Sequence, residues 1–105
     1  MCVSVLSELS MVIGICQLDL LIRETHSLKG KRRIVKQIIG RVKNKFNVSI
    51  AEVGDQDLWQ RSQIGFCLVG NERRFINSAL DKIVDFIETI NSAEITNADI
   101  EILSF

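Results

Sequence analysis

Cysteine is scarce in this 105-residue chain, and the three present, Cys2, Cys16 and Cys67, are odd in number, scattered and without a CxxC pair. That excludes a disulfide framework and gives no nucleus for a zinc site, so a reducing compartment is expected. No stretch approaches the ~20 uninterrupted apolar residues of a membrane-spanning helix. The opening MCVSVLSELS has no basic start and carries Glu8, which makes it a poor secretory signal. Together these absences predict a soluble, cytoplasmic protein without a membrane partner. Repeats, low-complexity tracts and linkers are missing too, so one domain is expected, and 105 residues can bury a core without staples. An apolar fraction of 47% and a charged fraction of 25% fit an ordinary globular fold rather than a disordered chain.

Net charge is also absent, with thirteen basic residues against thirteen acidic, but the balance hides a segregation. Eight of the thirteen Lys and Arg residues fall within residues 29–45: Lys29, Lys31, Arg32, Arg33, Lys36, Arg41, Lys43 and Lys45. No acidic residue interrupts them. Asp81, Asp85 and Glu88 lie in a later segment, and Glu94, Asp99 and Glu101 near the end. An electrically two-sided molecule follows.

Hydropathy along the chain predicts six elements. Residues 11–22 alternate, with Cys16, Leu18, Leu20 and Ile22 on one side and Gln17 and Asp19 on the other, which predicts a strand. Ser27 is a suitable N-cap for a helix running to about Lys45, its buried stripe formed by Val35, Ile38, Ile39, Val42 and Phe46. Gly30 and Gly40 cost that helix ~1 kcal/mol each relative to alanine, so packing must hold it. Residues 47–53 and 63–69 read as the second and third strands, the latter turning Ile64, Phe66 and Leu68 inward and Gly65 and Cys67 outward. Asn71 is a candidate cap for a second helix over 72–90, with Phe75, Ile76, Leu80, Ile83, Val84 and Ile87 as its apolar stripe. Residues 93–105, containing Ile100 and Ile102, supply a fourth strand.

The order βαββαβ predicts an α+β, ferredoxin-like fold: a four-stranded antiparallel sheet with two helices on one face. The other sheet face, with Ile13, Ile15, Ala51, Val53, Gly65 and Cys67, would be apolar enough to need a partner, and a homodimer is expected.

The segment from His26 to Glu72 carries a specific set of short motifs: His26-Ser27-Leu28-Lys29 followed by Lys31-Arg32, then Lys45-Phe46-Asn47-Val48-Ser49, Ala51-Glu52-Val53, and Asp57 with Trp59-Gln60-Arg61. In these it resembles the YlxP-like family of bacterial domains of unknown function. The resemblance implies a ferredoxin-like fold and, by gene neighbourhood, an association with ribosome maturation and translation. It implies no catalytic residue and no cofactor. Residues 1–10 lie outside the family pattern, which typically begins at Met11, so they are expected to be a flexible or disordered extension ahead of a single domain over 11–105.

Three candidate sites emerge. Lys29, Arg32, Arg33, Lys36 and Lys43 form a band beside the buried stripe of the first helix and suit RNA phosphates or a ribosomal surface. Their alternative role is to meet an acidic protein partner in a dimeric interaction or scaffold domain. His26, Ser27 and Lys29 sit at a helix start, where free amides could receive an anion, although capping alone explains the serine. Asp57, Trp59 and Arg61 suit an interaction surface, with the tryptophan expected to tuck against the sheet edge or a dimer partner. An enzyme of the acylphosphatase kind, which has this topology, needs a glycine-rich phosphate loop after the first strand. Here that loop reads Ile22-Arg23-Glu24-Thr25, and Arg23 with Asn47 does not replace the missing backbone nest. No catalytic residue, metal site, cofactor or small-molecule substrate is expected. Stacking of bases on the open sheet is also disfavoured, because Phe66 has inward parity.

Overall fold

A computed structural model describes residues 11–105; the expectation for residues 1–10 lies outside it. The alternation of the first segment becomes β1 (Val12–Leu21), whose inward residues Val12, Cys16, Leu18 and Leu20 are buried. Then follow α1 (Leu28–Lys45), β2 (Ser49–Gly54), β3 (Arg61–Gly70), α2 (Arg73–Glu88) and β4 (Glu94–Ser104). The strands form one antiparallel sheet in the order β2-β3-β1-β4, with β2 and β4 at the edges. Both helices lie on one face, as the expected ferredoxin-like fold requires. Val35, Ile38 and Val42 of α1 and Ile76, Leu80, Ile83 and Ile87 of α2 join the inward strand residues in a single core.

Local chemistry sets the helix ends. Ser27 caps α1 as expected: its Oγ accepts the Gly30 N–H at 3.0 Å, and its carbonyl accepts the Lys31 N–H at 3.1 Å. At α2 the expected cap is corrected. The helix begins at Arg73, so the cap position falls to Glu72, which is extended and makes no side-chain capping bond, and Asn71 stands one residue too early. The stripe of α2 is corrected at Phe75, which is 62% exposed. At ~100° per residue it sits roughly 110° around the helix from the centre of the Ile76-Leu80-Ile83-Ile87 line, past the edge of the sheet-facing surface. The helix lies close over β1 where Gly14 faces it: a Cβ there would meet Ile76 Cγ2 at 2.5 Å.

Strand pairing explains why β3 starts earlier than apolar alternation suggests. Arg61 and Ser62 are polar, yet they pair with Leu21 and Leu20 of β1. The same register sorts the outer face. Ile13 lies between Val69 and Leu103, Ile15 between Cys67 and Glu101, and Gln17 between Gly65 and Asp99. Ala51 pairs with Gly65 on the β2 side, and Val53 contacts it, so all six residues expected on that face are there. The two described cysteines part company: Cys67 is on the outer face, whereas Cys16 is fully buried on the inner one. Burial, with a smaller push from the Asp99 carboxylate, raises the Cys16 thiol to about 11.

Candidate nucleic-acid interface

Helix α1 contains no Asp or Glu anywhere in its eighteen residues. Lys29, Lys36 and Lys43 are seven residues apart, two helical turns, and so form a line along one side. Arg32 and Arg33 flank that line, and all five side chains are exposed. Four of the five, Lys29, Arg32, Arg33 and Lys36, line with Gln37 one shallow concavity of about 520 Å³. Lys43 lies outside that concavity, ~10 Å further along the axis. Among the described residues, none of the five is within ion-pair distance of a carboxylate; the pairs present are Arg23 with Glu94 and Lys31 with Glu52. Asp81, Asp85 and Glu88 of α2 are exposed and do not neutralise the band.

Lys31 departs from the surface reading of the basic segment. Its side chain is 0% exposed, and its Nζ donates to Glu52 Oε2 at 2.8 Å, to the Asp55 carbonyl at 3.1 Å and to the Gln56 carbonyl at 3.2 Å. An ammonium has three protons, and each has found an acceptor. Ser62 Oγ donates to the same Glu52 oxygen at 2.6 Å, so the carboxylate is held from β3 as well. Asp55 adopts the left-handed region, φ 57°, which turns the chain as β2 ends. The lysine therefore fastens the loop after β2 to the start of α1.

That loop carries the expected interaction residues. Asp57, Trp59 and Arg61 are all exposed. Trp59 is not tucked against the sheet edge: it is 44% exposed and its ring centroid stands 6.4 Å from that of His26. Asp57 lines with Arg32, Val35, Lys36, Ile39 and Gln56 a second cleft, of about 470 Å³, between α1 and the β2 edge. Arg32 and Lys36 thus stand between a hollow whose charged residues are all basic and a mixed one.

The remaining candidates resolve locally. The hydroxyl of Ser27 is engaged as the cap, the carbonyl of Ser27 also accepts from Thr25 Oγ1 at 3.1 Å, and His26 turns to Trp59. Of the expected anion trio, Lys29 belongs with the helix band. Arg23 is held by Glu94, its Nε at 3.2 Å and Nη2 at 2.9 Å from Oε1. Arg41 and Lys45 lie 5.7 Å and 4.8 Å from the Phe86 ring, which ties these two cations to α2 rather than to the band. Phe66 is buried on the inner face, so no aromatic platform forms there. Among the described residues no helix is long and apolar enough to cross a membrane.

Comparison with known proteins agrees with these motifs. A family model described as "Protein of unknown function (DUF503)" matches residues 13–100. The "Uncharacterized protein YlxP" of Bacillus subtilis (strain 168) is 40% identical over 85 residues, spanning 81% of this chain and 92% of that protein. Among solved structures, the de novo designed protein Foldit4 aligns over 90% of this chain and 96% of its own, at 17% identity and a TM-score of 0.48.

Proposed function

Since this chain belongs to the DUF503 family, whose description assigns no activity, we propose from its own surface that it is a non-catalytic module that associates with RNA, ribosomal RNA foremost, through α1. The observation that carries this reading is the clustering of Lys29, Arg32, Arg33 and Lys36 around one hollow, all exposed and none matched to a carboxylate among the described residues. Unmatched cations at this density attract a polyanion, and each phosphate they neutralise releases condensed counterions. Such contacts hold and orient a backbone without reading bases. Lys43 extends the track along the helix. A ribosome-associated role places the protein in the cytoplasm.

His26 stands two residues ahead of α1 and faces Trp59, and on this reading the two rings supply stacking partners for an unpaired base. Asp57 on the cleft side repels phosphate and confines the backbone to the basic hollow.

The test is cosedimentation with purified ribosomal subunits, comparing the unaltered protein with a variant in which Lys29, Arg32, Arg33 and Lys36 are glutamate. All four are exposed, so the fold should survive. Binding by the unaltered protein and at least a hundredfold weakening in the variant is expected. Equal binding by both would overturn the helix reading, and binding to an acidic protein in place of RNA would favour a scaffold role.

A further inference from the structure

The cleft of about 470 Å³ between α1 and the β2 edge differs in kind from the hollow beside it. Its apolar lining comes from Val35, a core residue, and Ile39, half-buried against the core. Arg32 and Lys36 line both spaces, so a group held by these two cations on the hollow side lies next to the cleft. Two carboxylates border the cleft, and they are not equivalent. Glu52 Oε2 accepts from Lys31 Nζ at 2.8 Å and from Ser62 Oγ at 2.6 Å, and so belongs to the fastening of the loop. Asp57 is exposed, and among the described residues its carboxylate is in neither ion pair and accepts none of the side-chain hydrogen bonds around the loop. Its place is fixed all the same. Lys31 Nζ holds the carbonyls of the two preceding residues, and the Leu58 N–H donates to the Asp55 carbonyl at 3.1 Å, closing a turn with Asp57 at its third position. The cleft falls in the range of ~300–1,000 Å³ that takes a small organic group, and apolar walls with a few placed polar groups are typical of such sites.

We infer that the cleft receives the base of an unpaired guanosine in the bound RNA, with Asp57 as the residue that selects it. The inference rests on the phosphate reading of α1 and adds a base preference to it. An ionised carboxylate only accepts, through two oxygens side by side. Guanine meets it with two adjacent donors on its pairing edge, N1–H and the N2 amine. Adenine and cytosine offer one amine next to a bare ring nitrogen, and uracil one N–H between two carbonyls, so each of these sets a lone pair against the second oxygen. Unpaired bases of RNA present this edge to a protein, whereas a double helix hides it. Val35 and Ile39 supply apolar contact for the ring, and Arg32 and Lys36 hold the phosphate that Asp57 repels. The opposite charges sort one nucleotide, phosphate to the hollow and base to the cleft.

The experiment measures, at fixed low salt, the affinity of the full chain for single-stranded uridine heptamers whose central base is guanine, adenine, cytosine or uracil. The guanine heptamer should bind roughly fivefold or more tightly than the other three, the low end of what a paired base contact discriminates. Asp57→Ala, at an exposed site, should bring all four within about twofold of one another while the uracil heptamer binds at least as well as before, because a charge that repels phosphate has gone. Lys29→Glu, in the hollow but not in the cleft, should weaken all four alike and keep their order. Equal affinities for the four heptamers, or a guanine preference unchanged by Asp57→Ala, overturn this inference and leave the phosphate reading standing. Failure to bind any heptamer overturns both. Guanosine monophosphate binding as tightly as the guanine heptamer would make a free nucleotide the ligand and overturn the assignment to an RNA strand.

Discussion

Lys31 shows how a single residue can belong to a charged run and yet to the core. It precedes Val35 by four positions, so it falls on the buried line that continues through Ile38 and Val42. That spacing was legible in the sequence; its carboxylate was not, because Glu52 and Ser62 reach it only through sheet pairing. Removing the lysine leaves a carboxylate and two carbonyls short of a donor. Lys31→Ala is expected to cost about 3 kcal/mol in urea unfolding, within the range for breaking a buried pair from one side. Lys31→Met keeps the packed stem and should cost less, and adding Glu52→Gln to it should recover part of the loss. If the single and double variants unfold at the midpoint of the unaltered protein, Lys31 does not fasten the loop. Phe75 makes the opposite point: an apolar residue counted into a stripe lies on open surface, since a pattern of residues does not show how wide a helix face the sheet will cover.

Among the elements, the two helices are made unequally. Helix α1 has a bonded serine cap and cations in its last turn, Lys43 and Lys45, which complement the partial negative charge of its C-terminal end. Helix α2 has Glu72 at its cap position without a side-chain capping bond, and Arg73 and Arg74 lie in its first turn, where the partial charge is already positive. Its stability rests on the Ile76, Leu80, Ile83 and Ile87 contacts. Glu72→Ser should therefore stabilise the protein by about 1 kcal/mol, read as a higher urea midpoint with an unchanged slope. A lower midpoint would show that Glu72 supports the helix start in another way. The existence and order of all six elements were legible from periodicity. Their ends were less so, at the α2 cap and at the polar start of β3, where pairing across the sheet and not local hydropathy decides.

For the whole molecule, zero net charge conceals a division of labour: a helix layer with an entirely acid-free member, and a sheet face that is apolar at one end and acidic at the other. The five residues of the basic band were legible as a group because helical spacing alone places them on one side. Their freedom from carboxylates was not, since it depends on where α2 and the loop after β2 come to rest. The central claim is that this band meets RNA phosphates. The most direct measurement is the affinity of the full chain for isolated ribosomal RNA across a series of salt concentrations. If all five cations engage phosphates, log affinity should fall against log salt with a slope of roughly −4, at ~0.7–0.9 per contact. Affinity too weak to measure at low salt, or a slope near zero, would contradict the account.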